Sequence, residues 1–157
     1  MRLSLAARLL RERRLAKWPK IVYVKEPLEA AYDPTRHIIE IPRIRGPFTA
    51  FVAAHEFGHA RSFLRPIEKH IPFPLLFHAG IIGYPVLKIT GKEEYEKYLP
   101  ILMTPTLLEE YMASLRAFPI MKRLGFSPLK GIPAFLLSAA SYTVPYVVIL
   151  RRAIRES

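Results

Sequence analysis

GPFTAFVAAHEFGHARSFL, residues 46–64, is the stretch on which the reading of this chain turns. Gly46-Pro47 opens a helix, because a proline suits the first helical turn. The pattern stays helical from Phe48 to Leu64, and Pro66 forbids much continuation. Within it, His55 and His59 are four residues apart, so they share one face with about 6 Å of rise between them. That spacing lets both imidazoles reach one metal ion, at about 2.0–2.1 Å if the ion is zinc. Glu56 lies roughly 100° around the helix from His55. It can therefore face a water on the metal without ligating it, and take that water's proton. Gly58 leaves the helix surface bare where another backbone element comes close. The competing structural role is two buried histidines bonded to carbonyls, with Glu56 on the surface.

Upstream the period changes to two. Ile21–Val24 reads as a strand, and Ala30-Ala31-Tyr32 leads into the turn Asp33-Pro34-Thr35-Arg36. His37–Ile41 then runs extended until Pro42. A proline closing that strand predicts an edge position for it. The first twenty residues hold seven Lys/Arg and one acid, and Leu3, Ala6, Ala7 and Leu10 follow helical spacing. They read as a basic amphipathic helix suited to anionic lipid or to packing by one face on the body. The whole chain of 157 residues carries 24 Lys+Arg against 13 Asp+Glu, a net +11, yet is 51% hydrophobic. With a mean hydropathy of +0.14, that combination points to a protein that touches a membrane and excludes a disordered basic tail. Cysteine is absent, which excludes disulfide scaffolds, thiolate zinc sites and cysteine nucleophiles.

A catalytic zinc site normally has three protein ligands and one open position. With no cysteine and no third histidine in metzincin spacing, a glutamate is the default. The run Leu107–Ala117, predicted to lie on an amphipathic helix over Thr104–Arg123, offers Glu109 and Glu110. Here the residues resemble the gluzincin metallopeptidases, whose third ligand sits in a Glu-x-x-Ala-Asp/Asn pattern, often with another alanine three residues on. Glu110, Ala113, Ser114 and Ala117 match that register, so the resemblance implies Glu110 as ligand, with Glu109 as the fallback. Ser114 stands where many relatives carry an aspartate that orients a ligand histidine. A hydroxyl does this less strongly, and Glu40 or a backbone carbonyl could supplement it. The hairpin before the motif helix, Tyr32-Asp33 through Ile41, also looks like that of the zincins. The expected fold is α+β: a mainly helical zincin-like body with a small N-terminal β-hairpin or sheet, and an apolar C-terminal helix or helices. Residues 1–20 form the basic helix, 21–124 the peptidase domain with an apolar insertion at 71–89, and 125–157 an apolar segment able to anchor in a membrane.

Two stretches lack Asp, Glu, Lys and Arg: Ile71–Leu87 and Ile132–Leu150. The first separates His55 and His59 from Glu110, so a single crossing would put the ligands on opposite sides of a bilayer. It must be buried, interfacial, re-entrant, or one arm of a hairpin with Tyr98–Leu108. Three prolines favour a bent element. The second is about the roughly 20 residues a span needs, and is read as a span in preference to a kinked helix pair. His37, His70 and His78 read as polar surface or hydrogen-bonded core residues, His78 being the least bland because it lies inside an apolar run.

The resemblance implies a zinc-dependent endopeptidase at a membrane, with a protein or peptide as substrate, His55, His59 and Glu110 on Zn2+, Glu56 as base and Ser114 behind a ligand. Substrate is expected along the strand His37–Ile41, with Tyr111, Tyr84, His78 or Arg116 as oxyanion partner. The alternative is a non-catalytic zincin-fold scaffold of a membrane or particle assembly. Nucleic-acid binding through the Arg-rich N-terminus rests on charge alone.

Overall fold

A computed structural model describes residues 19–26, 29–62, 67, 71 and 73–155. The basic helix expected over 1–20 lies, but for its last two residues, outside them, as does His70. The fold is mainly helical with one small sheet, the expected α+β class. Strands β1 (Lys20–Val24), β2 (Ala31–Asp33) and β3 (Ile38–Pro42) line up in the order β1-β3-β2. β1 runs parallel to β3 with Lys20 opposite Ile38, and β2 runs antiparallel with Ala31 opposite Glu40. β3 is therefore the central strand, which corrects the expected edge position of His37–Ile41. Pro42 is tolerated because it stands in the last rung, opposite Val24 and beyond the end of the β2 ladder. Asp33 Oδ1 accepts from the amides of Thr35 and Arg36, both at 2.9 Å, which closes the turn. His37 ends it at φ +56 rather than joining the strand, its Nδ1 2.8 Å from the Tyr32 hydroxyl.

Ile39 and Ile41, one face of β3, are fully buried against α1 (Pro47–Ala60). Thr49 Oγ1 accepts from the amides of Arg45 and Gly46 and donates to the Gly46 carbonyl, satisfying groups that a helix start leaves open. α1 ends at Ala60, short of the expected Leu64, where Ser62 leaves the axis and donates to Glu109. Small residues (Ala50, Ala53, Ala54, Ala60) let the sheet cover one side of α1 and α3 (Leu99–Arg123) the other.

Between α1 and α3 runs α2 (Phe73–Thr90), a single helix and not a re-entrant bend. Pro74 falls in its first turn, where no intrahelical partner is lost, and only Pro85 lies inside. Thr106 donates to the Phe73 carbonyl, Gly80 faces Met103 and Gly83 faces Leu99, so α2 and the start of α3 form an antiparallel hairpin. The hairpin returns Glu110 to the end where His55 and His59 stand. A last helix, α4 (Ile132–Arg155), is one piece rather than a kinked pair, with Pro145 inside it. It packs along α3 through Phe135 on Phe118 and Tyr111, and meets α2 through Tyr142 on Phe77. Both α2 and the Pro128–Arg155 stretch are long and apolar enough to cross a membrane, and only 17% and 11% of their apolar windows are buried.

Gly58 is the tightest point. A Cβ there would lie 2.4 Å from the Ala113 carbonyl oxygen, which is backbone and cannot swing aside. Gly58→Ala should therefore lower stability by about 1–3 kcal/mol despite alanine's better helix propensity. An unchanged denaturation midpoint would show that α1 and α3 can separate at no cost.

Candidate metal centre

His55 and His59 project from α1 toward α3 because α1 is enclosed on both sides; each is 8% exposed. Their Nε2 atoms stand 3.1 Å apart. Glu110, from the facing turn of α3, brings Oε2 to 3.1 Å from His55 Nε2 and Oε1 to 3.6 Å from His59 Nε2. One donor atom from each of the three residues lies within 4.8 Å of the other two, so the group could hold a metal ion. The outer nitrogens are engaged as well. His55 Nδ1 lies 3.0 Å from Ser114 Oγ, and His59 Nδ1 lies 3.5 Å from Glu109 Oε1. Donation outward from Nδ1 leaves each Nε2 lone pair directed at the shared point.

Glu56, also 8% exposed, faces the same cavity as the donors, a space of about 190 Å³ lined besides by Ala30, Ala31, Tyr32, both histidines, Pro74, Glu110 and Tyr142. Burial raises its carboxyl above the ordinary value, against the pull of His59 and His55, while a backbone hydrogen bond from Tyr32 steadies the anion. Burial alone would lower His59, but hydrogen bonds to Glu109 and Glu110 and the charge of the acids raise it well above the usual imidazole range. Burial would likewise raise Glu110, but its bonds to His55 and His59 outweigh that and hold it well below the usual carboxylate range. A second, more apolar cavity of about 420 Å³ adjoins the first, sharing Ala30, His55, Glu56, Glu110 and Tyr142 and extending over Phe48, Val52, Ala134 and Leu137.

Thus His55, Glu56, His59, Glu110 and Ser114 come together at one place, from positions up to 59 residues apart. Glu109 is not among the convergent donors: it sits behind His59. Glu40 stands on β3 opposite Ala31, and Ser114 occupies the His55 position offered to it. Of the expected oxyanion partners, Tyr111 is tied to Thr143 at 2.6 Å, Tyr84 pairs with Arg152, and His78 is exposed and bonded to the Pro74 carbonyl. Arg116 is bound to Glu109 and the Gly58 carbonyl. None of the four lines either cavity beside the histidines. The residue that lines both is Tyr142, beside Glu110. Sequence reasoning missed it, although polar Ser138, Ser141, Tyr142 and Thr143 in an otherwise apolar helix were a signal.

Compared with protein-family models, curated proteins and solved structures, the chain matches none.

A metal can use His59 only when the ring is neutral. Because His59 is raised, affinity for a divalent ion such as Co2+ should climb with pH through neutrality, with protons released on binding; Glu110, already ionised, adds nothing there. Calorimetry in buffers of different ionisation enthalpy reads the release directly, and an affinity flat between pH 6 and 8 (about one unit either side of neutral) would contradict it.

Proposed function

We propose that the chain is a small zinc-dependent metalloendopeptidase of gluzincin type that works at a membrane. The observation that carries this reading is the convergence of His55, His59 and Glu110 on one point, with the Glu56 carboxylate beside it in a cleft. Two imidazoles and a carboxylate suit zinc and leave a coordination position open. Bound zinc would supply a polarised scissile carbonyl and a water that ionises near neutral pH.

The chain's own residues do the rest. Glu56, made more basic by burial, accepts the water's proton and hands it to the departing amine. Tyr142 is the hydroxyl donor in the cleft, and in this reading it serves the developing oxyanion. Substrate lies along β2 rather than β3: β2 has a neighbour on one side only, and Ala30–Tyr32 wall the cleft. An extended peptide can add to such an edge as a further strand. The apolar second cavity favours a bulky apolar side chain next to the cleaved bond.

Membrane association is supported by what α2 and α4 leave outside. A soluble core helix is mostly buried, whereas these two are mostly exposed and apolar, with Ile82, Val86 and Ile89 on α2 and Leu136, Leu137 and Val144 on α4 among the exposed side chains. Basic residues flank the uncharged stretch Ile132–Leu150 at Lys130 and Arg151-Arg152, and the net charge of +11 suits anionic lipid. The protein should float with vesicles containing phosphatidylserine in a density gradient and resist alkaline extraction. Recovery at the bottom of the gradient would remove the membrane from the reading.

Glu56→Gln should keep the metal and lower kcat/KM on a general protein substrate by about 10²–10⁴. Tyr142→Phe should cost about 10²-fold, mostly in kcat. Full activity in Glu56→Gln would end the assignment of Glu56 as the base. Zinc at one per chain with no hydrolysis of a diverse peptide library would favour the scaffold alternative.

A further inference from the structure

Glu109 is 1% exposed and its carboxylate is fully engaged. Oε2 accepts from Ser62 Oγ at 2.7 Å, and Oε1 accepts from Arg116 at 3.3 Å and stands 3.5 Å from His59 Nδ1. A carboxylate this deep is tolerated only when its charge is matched, and Arg116, two turns along the same face of α3, matches it. Arg116 also donates to the carbonyl of Gly58, the residue before His59. The same guanidinium thus holds the acid and the backbone that carries the ring.

Neighbouring residues on a helix point about 100° apart. Glu110 is thereby directed to the Nε2 side of the histidines and Glu109 to the outer side of His59. Resting on the metal reading above, we propose that Glu109 is a positioning residue: it fixes the His59 ring for the ion, in a site where His55 receives only the hydroxyl of Ser114. The carboxylate support that Ser114 cannot give to one histidine reaches the other from the residue beside the third ligand. Because Arg116 neutralises it, the centre gains a strong acceptor without gaining net charge.

The rival role for Glu109 is a plain staple between α1 and α3, and metal binding separates the two. Zn2+ affinity is read by competition with a chromogenic chelator, and the ligand field by the visible spectrum of the Co2+ form, for wild type, Glu109→Gln and Ser114→Ala. Glu109→Gln preserves size and can still bond Ser62. Positioning predicts that it binds Zn2+ about 10–100-fold more weakly, loses more than Ser114→Ala does, and shifts the Co2+ bands. A staple predicts a lower melting temperature with wild-type affinity and spectrum, which would overturn the proposal. So would complete loss of the ion, the result expected of Glu110→Ala, because Glu109 would then itself be a ligand. Should Glu109→Gln not fold, the double variant Glu109→Gln/Arg116→Gln removes both charges of the pair and is held to the same two readouts. If the wild type takes up neither metal, the centre and this inference fall together; if only the Glu109 comparison fails, the centre stands.

Discussion

Everything in this molecule depends on how closely α1 and α3 approach each other. The contact is backbone on helix at Gly58 and Ala113, extended by Ala54, Ala117 and Ser114, so the two axes come nearer than larger side chains would allow. Without that approach, the short side chains of His55, His59 and Glu110 could not place three donor atoms within 4.8 Å of one another. The sheet acts from behind. Ile39 and Ile41 press on α1 from the side opposite α3, so the helix is buried over ten of its fourteen residues.

Such proximity carries an electrostatic burden. Glu56, His59, Glu109 and Glu110 are ionisable groups gathered in a small volume with little access to water. They coexist because each anion meets a cation or a donor: Glu110 two imidazoles, Glu109 a guanidinium and a hydroxyl, Glu56 a backbone amide. The acidities of Glu56 and Glu110 are pushed in opposite directions as a result. Glu56 is raised toward the strength of a useful base while Glu110 remains an anion. A donor set able to hold an ion and a separate carboxylate able to move a proton call for that kind of divergence.

The centre was legible in the sequence to the extent that it is local. His55, Glu56 and His59 lie within one turn and a half, so helical spacing alone predicts their shared face, and bare Gly58 predicts a close neighbour. Glu110 and Ser114 were singled out only through the resemblance of Glu110, Ala113, Ser114 and Ala117 to the gluzincin pattern, since helical spacing by itself leaves Glu109 open. The order of the strands was not, because Pro42 advertises an edge whereas the pairing partner that makes β3 central arrives from residues 20–24. Tyr142 was not either: its role depends on the azimuth of α4 against α3, which no periodicity reports. The division of duties between Glu109 and Glu110 depends on a rotation about α3 that their adjacency in sequence conceals.

The α2–α3 hairpin interposed between the histidines and their carboxylate has a temporal consequence. The donors lie 55 positions apart, and Tyr142, which also lines the cleft, arrives 32 residues later still. While the ribosome has yet to reach α3, the polypeptide presents two imidazoles with no third arm to hold an ion firmly. Assembly of the three donors therefore waits until α3 has emerged and packed on α1, so the order of synthesis sets when the centre can form.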